Sequence, residues 1–142
     1  MKKTVLMSVA VLSMTAMLVT GCVTSGPSLS DEELVQLKVE QWSQGLIEND
    51  LDKFLATISE SFSSRQADDK AELGGFIEEA IEAGYLEEAE VFLEDAQFTI
   101  EEGVCSVYPI DLMSSAGSVA IELTFIQEKG DWFVADMGID GL

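Results

Sequence analysis

Histidine is absent from this chain of 142 residues, and only two cysteines occur, Cys22 and Cys105. Without an imidazole there is no Ser-His-Asp or Cys-His nucleophile relay and no His-bearing zinc site. Two thiols are too few for a thiolate metal cluster. No GxGxxG turn and no P-loop occurs, and Asp50-Leu51-Asp52 lacks the glycine and terminal glutamate of a calcium loop. Most familiar catalytic inventories are therefore missing, and no cofactor or metal is expected.

Basic residues are also scarce: 7 Lys and Arg stand against 27 Asp and Glu, a formal net charge of −20. Two of the seven, Lys2 and Lys3, open the chain, so beyond them the imbalance is steeper still. Such a surface repels phosphates, which argues against nucleic acid and against lying flat on anionic lipid. The acids are interspersed with apolar residues, the pattern of solvated faces that confer solubility.

Nor is there a long apolar run. The stretch Thr4 to Thr20 carries no ionised side chain, but Ser8, Ser13, Thr15 and Thr20 interrupt it. It falls short of the roughly 20 apolar residues a spanning helix needs. With Lys2 and Lys3 before it and the small residue Gly21 after it, the stretch has the three-part layout of an export signal. Residues 1–21 are therefore excluded from the fold. The end of that signal, Val19-Thr20-Gly21-Cys22, resembles the lipobox of bacterial lipoproteins. The resemblance implies cleavage after Gly21 and a diacylglyceryl group on the Cys22 thiol, with the new amino terminus open to acylation. Two or three chains on one residue hold far more firmly than one, since each buried methylene adds about 0.8 kcal/mol. The implied partner is the lipid bilayer, anchored to and not spanned. Val23 follows the cysteine where Gram-negative relatives use aspartate for inner-membrane retention. By that resemblance the expected location is the cell envelope, at the outer membrane facing the periplasm.

If Cys22 is a thioether, Cys105 has no partner within the chain. In Val104-Cys105-Ser106-Val107 it reads as a small buried hydrophobe.

Residues 22–29, CVTSGPSL, form a tether of small residues broken by Gly26-Pro27, and residues 30–142 form the domain. Ser30 followed by Asp31-Glu32-Glu33 is a capping box. Leu34, Val35, Leu37, Val39, Trp42, Leu46 and Ile47 then occupy a broad helical face, ended by Asn49-Asp50. A second short helix has Leu51, Phe54, Leu55 and Ile58 at i, i+3, i+4 and i+7. A third, capped by Asp68 or Asp69 and stopped by Gly84, lines up Leu73, Phe76, Ile77, Ala80 and Ile81. Beyond Gly84 the period shortens to strands at roughly 88–101, 104–113, 117–127 and 131–139, separated by hairpin turns. In the first, Phe92, Ala96, Phe98 and Ile100 share a side; in the third, Val119, Ile121, Leu123 and Phe125 do. The fold class expected is α+β, three N-terminal helices on an antiparallel sheet of about four strands.

The segments WSQGLIENDLDKFLATISESF, DKAELGGFIEEAIEAGYLEEAEVFLEDAQFTI and VAIELTFIQEKGDWFVADM resemble the NTF2-like superfamily. That superfamily builds a curved-sheet cone, and the resemblance covers about residues 31–139. It implies the architecture and leaves the activity open, because the fold hosts unrelated functions. One activity it implies is that of a small ketosteroid-isomerase-like enzyme using a buried carboxylate with a tyrosine. Asp136, which shares strand parity with Trp132 and Val134, is the candidate acid/base residue, with Tyr85 or Tyr108 as the phenolic donor. The non-enzymatic counterpart is a cone lined by Phe54, Phe76, Phe92, Phe98 and Trp132 that binds an apolar ligand. A third reading is an interaction module whose partly polar sheet face forms a homodimer or docks an envelope protein.

The lipobox reading has a direct check. Growth with an alkyne-bearing palmitate analogue is expected to label the wild-type protein and not the Cys22→Ser variant. Equal labelling of both would dispose of the anchor.

Overall fold

The computed structural model describes residues 28–141. The signal, Gly21, Cys22 and most of the tether lie outside them. The first helix, α1 (Asp31–Ile47), begins where the capping box requires: Ser30 Oγ accepts from the Glu33 amide at 3.2 Å, and the Ser30 amide donates to Glu33 Oε2 at 2.8 Å. Two of the orphan amides of the first turn are satisfied in this way. Asn49, at φ 54°, ends the helix, and Asp50 caps α2 (Leu51–Leu55) by accepting from the Lys53 amide at 3.0 Å. The third helix, α3 (Lys70–Glu82), is capped by Asp69 and not Asp68, and closes at Gly84, φ 77°.

The buried side of α1 is narrower than its sequence face. Val35, Val39, Trp42 and Leu46 are buried, whereas Leu37 and Ile47 are 52% and 45% exposed. The stripe i, i+4, i+7, i+11 is what one side of a helix can turn toward a single sheet, and Leu37 and Ile47 fall beyond it. The helix α2 crosses α1 at Gly45, where a Cβ would stand only 2.7 Å from the Phe54 amide nitrogen. That approach seats Phe54 against Trp42, with ring centroids 6.0 Å apart.

Five strands form the sheet: β1 (Glu90–Phe92), β2 (Gln97–Glu101), β3 (Val104–Ser114), β4 (Gly117–Glu128) and β5 (Asp131–Asp140). All pairs are antiparallel, in the order β1-β3-β4-β5, with β2 also on β3. The single strand expected over 88–101 is thus two. Its first part pairs with the far half of β3, Phe92 opposite Asp111, and its second with the near half, Gln97 opposite Tyr108. Between those halves the β3 register shifts, Val107 facing Leu123 but Ile110 facing Ile121. A partner that bends there cannot be followed by one continuous strand.

A second shift lies across β4, where Phe125 faces Val134 but Thr124 faces Asp136, leaving Ala135 as the extra residue. The β4 strand keeps unbroken alternation through Ile121, Leu123 and Phe125, while both neighbours carry a bulge. The sheet therefore curves around α1 and α3, and one core of buried residues runs from Val35 to Met137. The edge of β5 is covered by the segment after α2: the Val134 amide donates to Thr57 O and the Ser59 amide to Val134 O, each at 2.8 Å, and the Ser63 amide to Ala135 O at 3.0 Å. An otherwise open row of backbone groups is closed.

The Gly45 crossing predicts a contrast within one residue type. Gly45→Ala is expected to lower stability by about 1–3 kcal/mol through overpacking against backbone. Gly75, on the exposed side of α3 with nothing within 4 Å of a built Cβ, is expected to gain about 0.5–1 kcal/mol on Gly75→Ala. Urea unfolding of both variants measures the difference, and equal effects would refute the crossing.

Candidate functional site

The curvature leaves the two ends of the core unequally filled. At the end near the start of α1, Phe125 and Trp132 are buried almost completely, and so are Phe62, Val134 and, at the Gly45 crossing, Phe54. At the other end, between α3 and the far halves of β3 and β4, a cavity of about 490 Å³ remains. Trp42 and Leu46 from α1, Phe76, Ile77 and Ala80 from α3, and Leu112, Val119, Ile121, Met137 and Ile139 from the sheet line it. Tyr85, Leu86, Ser114, Ala116, Gly117, Ser118 and Gly141 complete the lining among the described residues. Its size lies in the range of small-molecule sites, and among the described residues no charged side chain lines it.

The hairpin between β3 and β4 is fastened to the segment after α3. Ser115 Oγ donates to Gly84 O at 2.9 Å and the Ser115 amide to Glu87 O at 3.0 Å. These bonds hold Ala116 and Gly117 opposite Tyr85.

Buried polar groups are otherwise well paired. Ser43 Oγ donates to Val39 O at 2.8 Å, Thr57 Oγ1 to Phe54 O at 2.6 Å and Ser59 Oγ to Glu128 Oε1 at 2.5 Å. The Trp132 indole donates to Asp31 Oδ1 at 3.3 Å. Among the described residues two buried side-chain atoms have no partner, the Trp42 Nε1 donor and the Gln66 Oε1 acceptor. Only Trp42 belongs to the cavity lining.

The sequence candidates are dispersed. Phe76 lines the cavity and Tyr85 stands at it, 59% exposed. Phe54 and Trp132 are in the filled part of the core, and Phe92 and Phe98 lie half-buried on β1 and β2, away from the cavity. Asp136 is exposed, its Oδ1 accepting from the Met137 amide at 2.8 Å. The parity argument fails there because the extra residue Ala135 reverses the alternation: Trp132 and Val134 point inward before it, Met137 after it. Tyr108 is exposed on β3 and donates to Asp140 Oδ2 at 3.3 Å; the negative charge of that carboxylate, with the hydrogen bond, raises the phenol above its usual value. Neither tyrosine hydroxyl bonds Asp136, so the structure does not assemble the carboxylate–phenol pair. Trp42, which sequence reasoning treats as a core anchor, is both buried and part of the cavity wall. Nothing in its local pattern distinguishes the two roles.

Cys105 is a fully buried free thiol on β3. Burial, reinforced by the negative charge of Glu32, pushes it up from 9.0 to about 11. Among the described residues no group of three His, Cys, Asp or Glu could hold a metal, and no helix is long and apolar enough to cross a membrane.

No family model matches the chain, and no curated protein matches it. Solved structures do. An NTF2-like protein of unknown function from Pseudomonas putida KT2440 superposes with a TM-score of 0.65 at 11% identity, over 76% of this chain and 84% of its own. Another from Shewanella baltica OS155 gives 0.63 at 12%, over 82% and 100%. A cystatin-like protein of unknown function from Nostoc punctiforme PCC 73102 gives 0.62 at 13%, over 80% and 93%. The fold is NTF2-like; identities this low carry the architecture alone.

The Cys105 environment sets a pH window. The folded state holds the thiol neutral, so its contribution is complete below the unfolded value near 9.0 and is lost as pH rises toward about 11. The stability of wild type relative to Cys105→Val is expected to be constant from pH 7 to 8.5 and to fall above pH 9. A native thiol that reacts readily with Ellman's reagent at pH 8 would contradict this burial.

Proposed function

We propose that this chain is a cell-envelope lipoprotein, held in the bilayer by acylated Cys22, whose NTF2-like domain takes up an apolar small molecule without transforming it. The observation that carries the binding part is the charge-free cavity of about 490 Å³ at one end of an otherwise filled core. The anchoring part rests on the lipobox-like Val19-Thr20-Gly21-Cys22 and on Val23, which favours the outer membrane facing the periplasm. The outward sheet face, with Val104, Tyr108 and Met113 exposed beside Asp111, Glu122 and Asp140, is the surface offered to a second copy or an envelope partner.

A binding role fits this lining better than catalysis. Proton abstraction needs a carboxylate within reach of the substrate, and the wall contributes none. Asp136 and Tyr108 stand elsewhere, and the Asp136 version of the enzyme reading is not retained.

The test uses the mature chain, residues 22–142, with Cys22→Ser to remove the lipid; among the described residues the buried core runs from Val35 to Met137. The uncharged dye Nile red is expected to bind saturably with a rise in emission. Ala80→Trp, which fills the cavity from α3, is expected to weaken binding by at least about tenfold with little change in the unfolding midpoint. Asp136→Asn is expected to bind as wild type. Absence of saturable binding, or an Ala80→Trp variant that folds and binds equally well, would sink the carrier reading.

A further inference from the structure

The two sides of the sheet end differently. Along β5 the segment after α2 pairs with Val134 and Ala135 and closes the edge. On the opposite side β2 pairs with β3 alone, and among the described residues no backbone bond from outside that pair reaches residues 97–101. In an antiparallel pair alternate residues turn their amide and carbonyl away from the partner strand, so β2 holds out a row of unmatched donors and acceptors. Every residue of the strand except Phe98 is exposed.

Side chains along this edge narrow what can occupy it. Phe98 and Ile100 stand opposite Val107 and Cys105, both fully buried, and so lie on the core side of the sheet. Ile100 is nevertheless 36% exposed and Phe98 only half-buried, which leaves the core side uncovered at this strand. A strand guarded against further pairing carries a charge on its covered face, a proline or a bulge, and β2 has none of these. Glu94 and Asp95 precede it, Glu101 and Glu102 end it, and the chain has no Lys or Arg between Lys70 and Lys129. A second copy added edge to edge would set these acids against their like in either direction. The tether, CVTSGPSL, carries no charged side chain to answer them, and its Pro27 has no amide to donate.

We propose that the open edge of β2 is a docking site for an extended, cationic segment of a partner polypeptide, which joins the sheet as a further strand. Main-chain bonds to the edge hold it, and its alternate side chains give the selectivity. Apolar residues of the segment cover Phe98 and Ile100 on the core side, and the Lys or Arg residues between them meet Glu101 and Glu102 on the other. None of residues 97–101 lines the cavity, so this site stands or falls independently of the carrier reading.

The probe is the fluorescein-labelled peptide KVKIKVK, titrated into the mature Cys22→Ser chain at physiological ionic strength and followed by anisotropy. It is expected to bind saturably, and EVEIEVE is expected not to bind. The double variant Glu101→Lys, Glu102→Lys is expected to weaken binding by about tenfold. The same change of charge on the exposed side of α3, Glu78→Lys with Glu79→Lys, is expected to alter it by no more than about twofold, because charges beyond a Debye length are screened. Amide hydrogen exchange of the ¹⁵N-labelled wild type reports the strand itself: alternate amides of residues 97–101 are expected to exchange freely without peptide and slowly with it. Absence of saturable binding, or equal losses in the two double variants, overturns the site. Binding that leaves exchange in β2 unchanged overturns strand addition, and equal binding of EVEIEVE overturns the cationic class. If all the β2 amides are already protected without peptide, the edge is filled and the proposal falls; sedimentation then assigns it to a second copy if the chain is a dimer and to the tether if it is a monomer. Should the Glu101, Glu102 variant not fold, wild-type exchange decides alone.

Discussion

The bend of the sheet depends on two extra residues, one in each strand that flanks β4. Both register shifts lie against the middle of that strand, near Leu123 and Phe125. A bulge adds local twist to the strand that carries it, and two at the same level on opposite sides of a regular strand fold the sheet about that line. Three consequences follow from this one device. The strand after α3 divides into β1 and β2, each following one limb of β3. The concave side becomes deep enough to receive α1 with Trp42 at its centre. The alternation of β5 reverses at Ala135, bringing Met137 to the cavity and turning Asp136 outward.

What the sequence reveals, and what it hides, divides along the same line. Features decided within a few residues are legible: the Ser30 box, the stop at Asn49-Asp50, a cap at Asp68 or Asp69, of which the structure uses Asp69, and the stop at Gly84. Each depends on a local donor, acceptor or steric allowance. A bulge is different, because it exists only in the pairing of two strands: Pro109, which cannot donate to a ladder, marks the first shift but is passed over by a reading of alternation alone, and Ala135 gives no sign of the second. Every inference that assumed uninterrupted parity therefore fails beyond the bulge. Asp136 is the case that matters, since the carboxylate–phenol pair depended on it.

The aromatics show the same limit from the side of packing. Phe54, Phe76, Phe92, Phe98 and Trp132 all sit at apolar positions of their elements, and all look alike as candidates for a lining. Only the packed arrangement tells which end of the cone is filled. Phe54 is held in the filled part by the Gly45 crossing, while Phe76, one helix later, faces open space. The missing signal for Trp42 is subtler, since burial and proximity to a cavity are usually opposed. Its ring is packed against Phe54 on one side while the residue still forms part of the wall.

Charge is distributed in keeping with that geometry. Three of the few cations are spent on the surface, Lys38 on Asp131 at 3.1 Å, Lys53 on Glu48 at 2.7 Å and Lys70 on Glu60 at 2.8 Å. None reaches the cavity, and among the described residues no Asp or Glu does either. Among the described residues the domain is therefore strongly charged outside and uncharged within. The position of the chain entry completes this separation. Ser30 precedes the turn in which Asp31 meets Trp132, at the filled end of the cone, whereas Leu46, roughly 20 Å further along α1, touches the cavity. A lipid attached upstream of Ser30 would thus hold the domain by its packed end. The acidic surface would then keep the body of the domain from lying on anionic headgroups, and α1 is the element that joins the two ends.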